Sequence, residues 1–137
     1  FIVRSDSFKP SPAGTVYEIA VLPGNLWKED SERTIANIRA EATRRGFKHG
    51  KDMPPEISCL IRRMFSNEEI EKMGFGWIVG LHEPIRDSDG NPSLLGADLN
   101  YGNRRLSAYY GRPDYRWYSD YGFAVVVSQV SPSVLES

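Results

Sequence analysis

The two stretches best suited to β-strands lie at opposite ends of the chain, and any fold must find partners for both. "TVYEIAVLPG" alternates Val16, Glu18 and Ala20 against Tyr17, Ile19 and Val21, and Pro23-Gly24 stops it. "GFAVVVSQVS" holds a valine-rich run from Phe123 to Val127. An unpaired strand leaves a row of N–H and C=O groups open, and a lone pair of strands is barely stable in water. We therefore expect the first to pair with the last, closing residues 1–137 on themselves as one domain. A chain of 137 residues has room for a single core and not for two ordinary ones.

Between these strands the pattern turns helical. "EDSERTIANIRAEATRRG" sets Ile35, Ile38 and Ala42 on one face, with Asp30 or Ser31 as cap and Gly46 behind Arg44 and Arg45 as stop, so the spacing predicts a helix over 30–46. Pro54-Pro55 open a helical block over 55–73, in which Ile57, Leu60, Ile61 and Met64 follow the i, i+3, i+4, i+7 rule. Within it Ser66 and Glu69 have capping-box spacing and start a short third helix that Gly74 ends. Residues 5–14, "SDSFKPSPAG", read as a loose or extended lead-in. Beyond Gly74, "FGWIVGLHEPI" is strand-like, "DSDGNP" is turn chemistry, and the rest reads as short strands and long loops. Both helical blocks should pack on the sheet. The order is that of an α+β fold rather than of alternating βαβ units.

Charge excludes broad classes of partner. The formal net charge is −1, which gives no electrostatic case for a general nucleic-acid or membrane-surface protein. No run of 18 apolar residues exists, so no membrane insertion is expected. Cys59 is the only cysteine, which rules out an intrachain disulfide; inside "EISCLIRRMF" it reads as a small buried hydrophobe. Because the chain begins at Phe1 rather than Met, localisation is not readable from its N-terminus.

The chemistry-bearing motifs each have a plain structural reading. Asp87, Asp89, Asn91 and Asp98 fall at positions 1, 3, 5 and 12 of a calcium-type loop, but position 6 is Pro92 and Gly90 comes two residues early, so a hairpin turn explains the same letters. His82 and Glu83 could form an acid/base pair, yet the only other histidine, His49, offers no second ligand at metal spacing. No phosphate loop, nucleophile elbow or Cys-His pairing is present. The expectation is no catalysis, no metal and no cofactor; the rival is a small enzyme built on Cys59 or on His82 and Glu83. Trp27, Trp77 and Trp117 read as anchors of the core or its edge.

Arg104 to Val127 is different, because it holds five of the seven tyrosines, with Tyr101 just ahead. Their spacing fits neither a strand nor a helix, and they are interleaved with Gly, Asn, Ser, Asp and Arg, the composition of antibody-type contact loops. The skew to 12 arginines over five lysines agrees with a contact surface. The candidate ligand-binding residues are Tyr101, Asn103, Arg105, Ser107, Tyr109, Tyr110, Arg112, Asp114, Tyr115, Tyr118, Ser119, Asp120 and Tyr121. Leu106, Ala108, Trp117 and Phe123 onward read as framework, and the tyrosine rings should share one exposed face. A protein or glycan is the expected partner. Single-stranded nucleic acid is the alternative, but four arginines against Asp114 and Asp120 leave a net charge of only +2, thin for a phosphate track.

At "RWYSDYGFAVVVS" a resemblance enters. Two helices, "GWIVGL", a long loop-rich interval, this aromatic stretch and a final valine strand resemble the C-type-lectin-like fold. The likeness is to the compact form shared by formylglycine-generating-type domains and the variable proteins of diversity-generating retroelements. It covers roughly residues 15–130 by element order, and its specific motif lies in the last thirty or so. The resemblance implies that residues 101–121 are a variable region rewritten by adenine-directed mutagenesis, typically at AAY codons whose changes yield Tyr, Ser, Asp and Gly. It also implies a ligand-binding domain displayed on a virion or cell surface. The Glu-Pro-Asn and Trp-Asn-Asp signatures of calcium-dependent lectins are missing, since "HEPI" lacks the Asn and Tyr118-Ser119 follow Trp117, so calcium-mediated sugar binding does not carry over. The cysteines of animal lectin domains are absent too, which favours the disulfide-free branch.

Overall fold

The computed structural model describes residues 2–5, 16–86, 88–98, 105–110 and 116–130. Strands β1 (Ile2–Ser5) and β2 (Val16–Pro23) are followed by single 3₁₀ turns at Gly24–Leu26 and Asp30–Glu32, then by helices α1 (Ile35–Arg44), α2 (Glu56–Met64) and α3 (Asn67–Lys72). Strands β3 (Trp77–Gly80), β4 (Ile85–Arg86), β5 (Pro92–Asp98), β6 (Arg105–Tyr110) and β7 (Tyr121–Val130) complete the α+β order. Among the described residues the seven strands form one mixed sheet, β1-β2-β7-β3-β5-β4, with β6 also paired to β5.

The expected closure is present. β2 and β7 run antiparallel from Val16 opposite Val130 to Pro23 opposite Gly122, with an irregularity at Glu18/Ile19. β7 has β2 on one side and β3, parallel to it, on the other. A central strand covered on both faces needs apolar residues at every position, which is why the valine run does not alternate. Ala124 and Val126 join Tyr17, Ile19, Val21 and Ile78 against Ile57, Leu60, Ile61 and Ile70 of α2 and α3. Tyr121, Phe123 and Val125 join Ala20, Leu22 and Val79 against Ile35, Ile38 and Ala42 of α1. The helices thus sandwich the sheet, α1 on one face and α2 with α3 on the other. β1, absent from the sequence-based expectation, extends the sheet beyond β2 with Ile2 opposite Ala20.

Helix boundaries show where side chains overrode spacing. The expected capping box of α3 is complete: Glu69 N–H donates to Ser66 Oγ (3.1 Å) and Ser66 N–H to Glu69 Oε1 (3.0 Å). Gly46 takes a left-handed φ of 78° just past α1, as a stop should. The start of α1 is corrected from Asp30 or Ser31 to Thr34, whose side chain accepts from Asn37 N–H (3.3 Å). Residues 30–32 form a separate turn because Arg33 points inward and is 2% exposed. Its Nε donates to Gly24 O (3.0 Å), Nη2 to Trp27 O (2.6 Å), and Nη1 to Trp117 O (3.0 Å) and Asp30 Oδ1 (2.8 Å). A second correction concerns Cys59, expected buried: it is half-buried on α2. Among the described residues no helix is long and apolar enough to cross a membrane.

Candidate ligand-contact surface

Register lines up the end of the sheet from which the tyrosine-bearing turn emerges. Tyr121 of β7 lies opposite Trp77 of β3, Trp77 opposite Asp98 of β5, and Asp98 opposite Arg105 of β6. The turn Tyr118–Asp120, which feeds β7, and the two residues that flank 99–104 therefore meet at one end. Side chains at matched positions of neighbouring strands share a face. Trp77 and Tyr121 accordingly stack at 4.6 Å between ring centroids and 16° between planes.

Tyr121 is the hub of this cluster. Trp117 meets it edge-on at 5.0 Å, Tyr109 edge-on at 5.9 Å, and Phe123 and Tyr118 near-parallel at 6.2 Å. Tyr109 is brought in by Gly96, since a Cβ there would stand 2.9 Å from Tyr109 Cε2. The expectation that Tyr121 belongs to an exposed face is corrected: it is 7% exposed. Tyr121, Phe123 and Val125 alternate onto the α1 face of β7, so the ring is core; starting the strand at Phe123 had hidden that alternation. Tyr109 is half-buried beside it.

Tyr118, by contrast, is 67% exposed, and Ser119 and Asp120 beside it are exposed as well. The turn that carries them is clamped. Tyr121 N–H reaches Tyr118 O (3.3 Å) and Gly76 N–H reaches Asp120 O (3.0 Å). A Cβ on Gly24 would lie 2.9 Å from Tyr118 O and 3.0 Å from both Ser119 O and Tyr121 O, so only glycine lets the turn settle there. Trp117, 2% exposed, donates its backbone N–H to Arg33 O (2.9 Å) and accepts from the Arg33 guanidinium at its carbonyl, and Arg116 forms a backbone β-bridge with Thr34. Trp77, Gly24, Gly76 and Arg33 were not among the candidate residues. An aromatic at the head of "WIVG" was the one legible signal for Trp77.

The remaining candidates divide by position. Arg105, Ser107 and Tyr110 lie on β6, where Tyr110 pairs with Ser93 at the opposite end from Arg105. Tyr101, Asn103, Arg112, Asp114 and Tyr115 lie outside the described residues. Trp27 and Trp77 pack half-buried against the core and Trp117 within it, as anchors.

The motifs weighed for catalysis have structural work. His82 is fully buried; its Nδ1–H donates to Glu83 O (2.7 Å) and its Nε2 accepts from Leu95 N–H (3.0 Å), which fixes the neutral tautomer and ties β3 to β5. Arg39 Nη1 donates to His49 Nδ1 (3.1 Å), leaving His49 Nε2–H for Thr43 Oγ1 (2.8 Å). The "DSDGNP" hairpin closes through Arg86 Nη1 to Gly90 O (3.0 Å), with Gly90 at φ 80°. Asp98 stands at the far end of β5, away from that turn. Among the described residues no three His, Cys, Asp or Glu side chains gather to hold a metal. Comparison with protein-family models, curated proteins and solved structures finds no match to this chain.

Burial lowers the pKa of His82, and burial together with the Arg39 charge lowers that of His49. A histidine whose folded pKa falls below its unfolded value takes up fewer protons when folded, so stability is full above about pH 6.5 and declines as pH falls toward the folded value. Glu41, held at about 2 by its hydrogen bonds to Arg44 and Arg45, stays ionised throughout that window. Urea unfolding should therefore show a lower midpoint at about pH 5.5 than at about pH 7.5. Equal midpoints would mean that neither imidazole is held neutral by the fold.

Proposed function

We propose that this chain is a ligand-binding domain of C-type-lectin-like type, allied to the variable proteins of diversity-generating retroelements. It presents a Tyr-, Ser-, Asp- and Arg-rich face to a protein or glycan on a target surface, without catalysis. The observation that carries this reading is the contrast within three residues: Tyr118 projects from the turn while Tyr121 is locked in the core beneath it. A rigid aromatic anchor flanked by small polar groups, held on a fixed scaffold, is how contact loops gain affinity at low entropic cost. The pairing of β2 with β7 and the flanking helices agree with the compact lectin-like plan. Both ring nitrogens of His82 are engaged in tying strands together, which favours binding over a His82-centred active site.

Sequencing the gene from a population of its source tests this. Replacements should concentrate at adenine-containing codons of residues 101–121, including 118, 119 and 120, while codons 117, 121 and 123 stay constant. Replacements spread evenly along the chain, or absent from that segment, would remove the proposal.

A further inference from the structure

We propose that a cleft of about 520 Å³ beside α1, distinct from the tyrosine-bearing turn, binds an organic carboxylate, with the Arg39 guanidinium taking its two oxygens and Pro84 and Pro92 holding its apolar body. The volume is that of a small-molecule site, for which roughly 300–1,000 Å³ is usual.

The case rests on how Arg39 spends its donors. Its Nη1 gives both hydrogens away, to His49 Nδ1 (3.1 Å) and Leu81 O (3.0 Å), and its Nη2 gives one to His82 O (2.7 Å). Arginine carries five N–H donors in a planar fork. The Nε–H and one Nη2–H have no acceptor among the described residues, and Nε and Nη2 flank one edge of the fork. Two parallel donors on one edge are the match for a carboxylate, and they are worth more when the guanidinium plane is already fixed. Leu81 O and His82 O fix it, and Arg39 lines the cleft.

The surroundings agree in sign. Lys51 and Arg86 line the same cleft, and among the described residues Glu83 is its one acidic side chain. His49 accepts from Arg39 and so does not compete for the anion. Glu83 is exposed and forms no ion pair with Arg39 among the described residues, although its charge is felt there: burial lowers the Arg39 pKa and the Glu83 carboxylate raises it. An exposed carboxylate near an unfilled fork competes with an incoming one.

The ligand carboxylate could belong to a free small acid or to the C-terminus of a chain, and two probes separate them. Titrating the intact chain with 3-phenylpropionate, followed by amide and arginine Nε–H resonances, should move Arg39, Gly50 and Lys51, whereas 3-phenylpropionamide should move nothing. A tetrapeptide ending in phenylalanine is the second probe, with its C-terminus free or amidated. Tighter binding of the free-terminus peptide than of the small acid assigns the site to a chain terminus, and the reverse assigns it to small acids. Arg39→Lys, which keeps the charge and loses the fork, should weaken binding about tenfold. Because Arg39 also braces the backbone, the exposed positions carry the test independently: Lys51→Gln and Arg86→Gln should each weaken binding about two- to threefold, and Glu83→Gln should tighten it about threefold. Equal binding of acid and amide, no movement at Arg39 with about 10 mM acid, or weaker binding by Glu83→Gln would each overturn the proposal.

Discussion

Replacing Arg33 with Ala should lower the free energy of unfolding by about 3 kcal/mol or more, and the melting temperature by on the order of 10 °C. Arg33 is 2% exposed, and its guanidinium serves three backbone carbonyls, those of Gly24, Trp27 and Trp117, besides Asp30. Removing it leaves those carbonyls without their charged donor and opens a void between the 24–33 segment and Trp117. Arg33→Lys should recover only part of the loss, since an ammonium keeps the charge but cannot span acceptors arranged for a planar fork. Thermal and urea unfolding of both variants check this. A loss under about 1 kcal/mol for Arg33→Ala would show that the clamp is not what holds the turn.

Tyr121→Ala should cost a similar amount, about 3 kcal/mol or more, because the ring is 7% exposed and central to five aromatic contacts among the described residues. Tyr118→Ala should shift stability by less than about 1 kcal/mol, since an exposed ring leaves no cavity when it is cut back. It should nonetheless weaken ligand binding by about 2 kcal/mol or more, as loss of a central aromatic contact does. Two tyrosines three residues apart thus give opposite readouts. Were Tyr118→Ala to unfold the domain as Tyr121→Ala does, the turn would be core and no face would remain to bind with.

Strands β2, β3 and β7 and the three helices were legible because their signals are local, whereas β1 was not foreseen. Alternation marked β2, apolar spacing at Ile35, Ile38 and Ala42 marked α1, and Ser66 with Glu69 marked the start of α3. The pairing of β2 with β7 followed from two strands that each needed a neighbour. What stayed hidden depends on contacts between distant segments. Nothing near Arg33 in sequence says that its acceptors include Trp117 O, so it read as an ordinary residue in a helix. Gly24 read as a strand stop, whereas its lack of a side chain also seats the Tyr118–Asp120 turn. Tyr121 was grouped with Tyr118 by proximity in the chain, although the two-residue period through Phe123 and Val125 assigns it to the core. Composition showed that the segment is unusual, and register decided which of its rings face inward.

The central claim is that one short segment holds both a fixed framework and a face that tolerates rewriting. Two libraries of the whole chain test it most directly, one varied at positions 118, 119 and 120 and the other at 117, 121 and 123, each scored for resistance to proteolysis. The account predicts that most members of the first library stay as resistant as the parent and most of the second are cut. Widespread loss of resistance in the first library, or tolerance in the second, would contradict it.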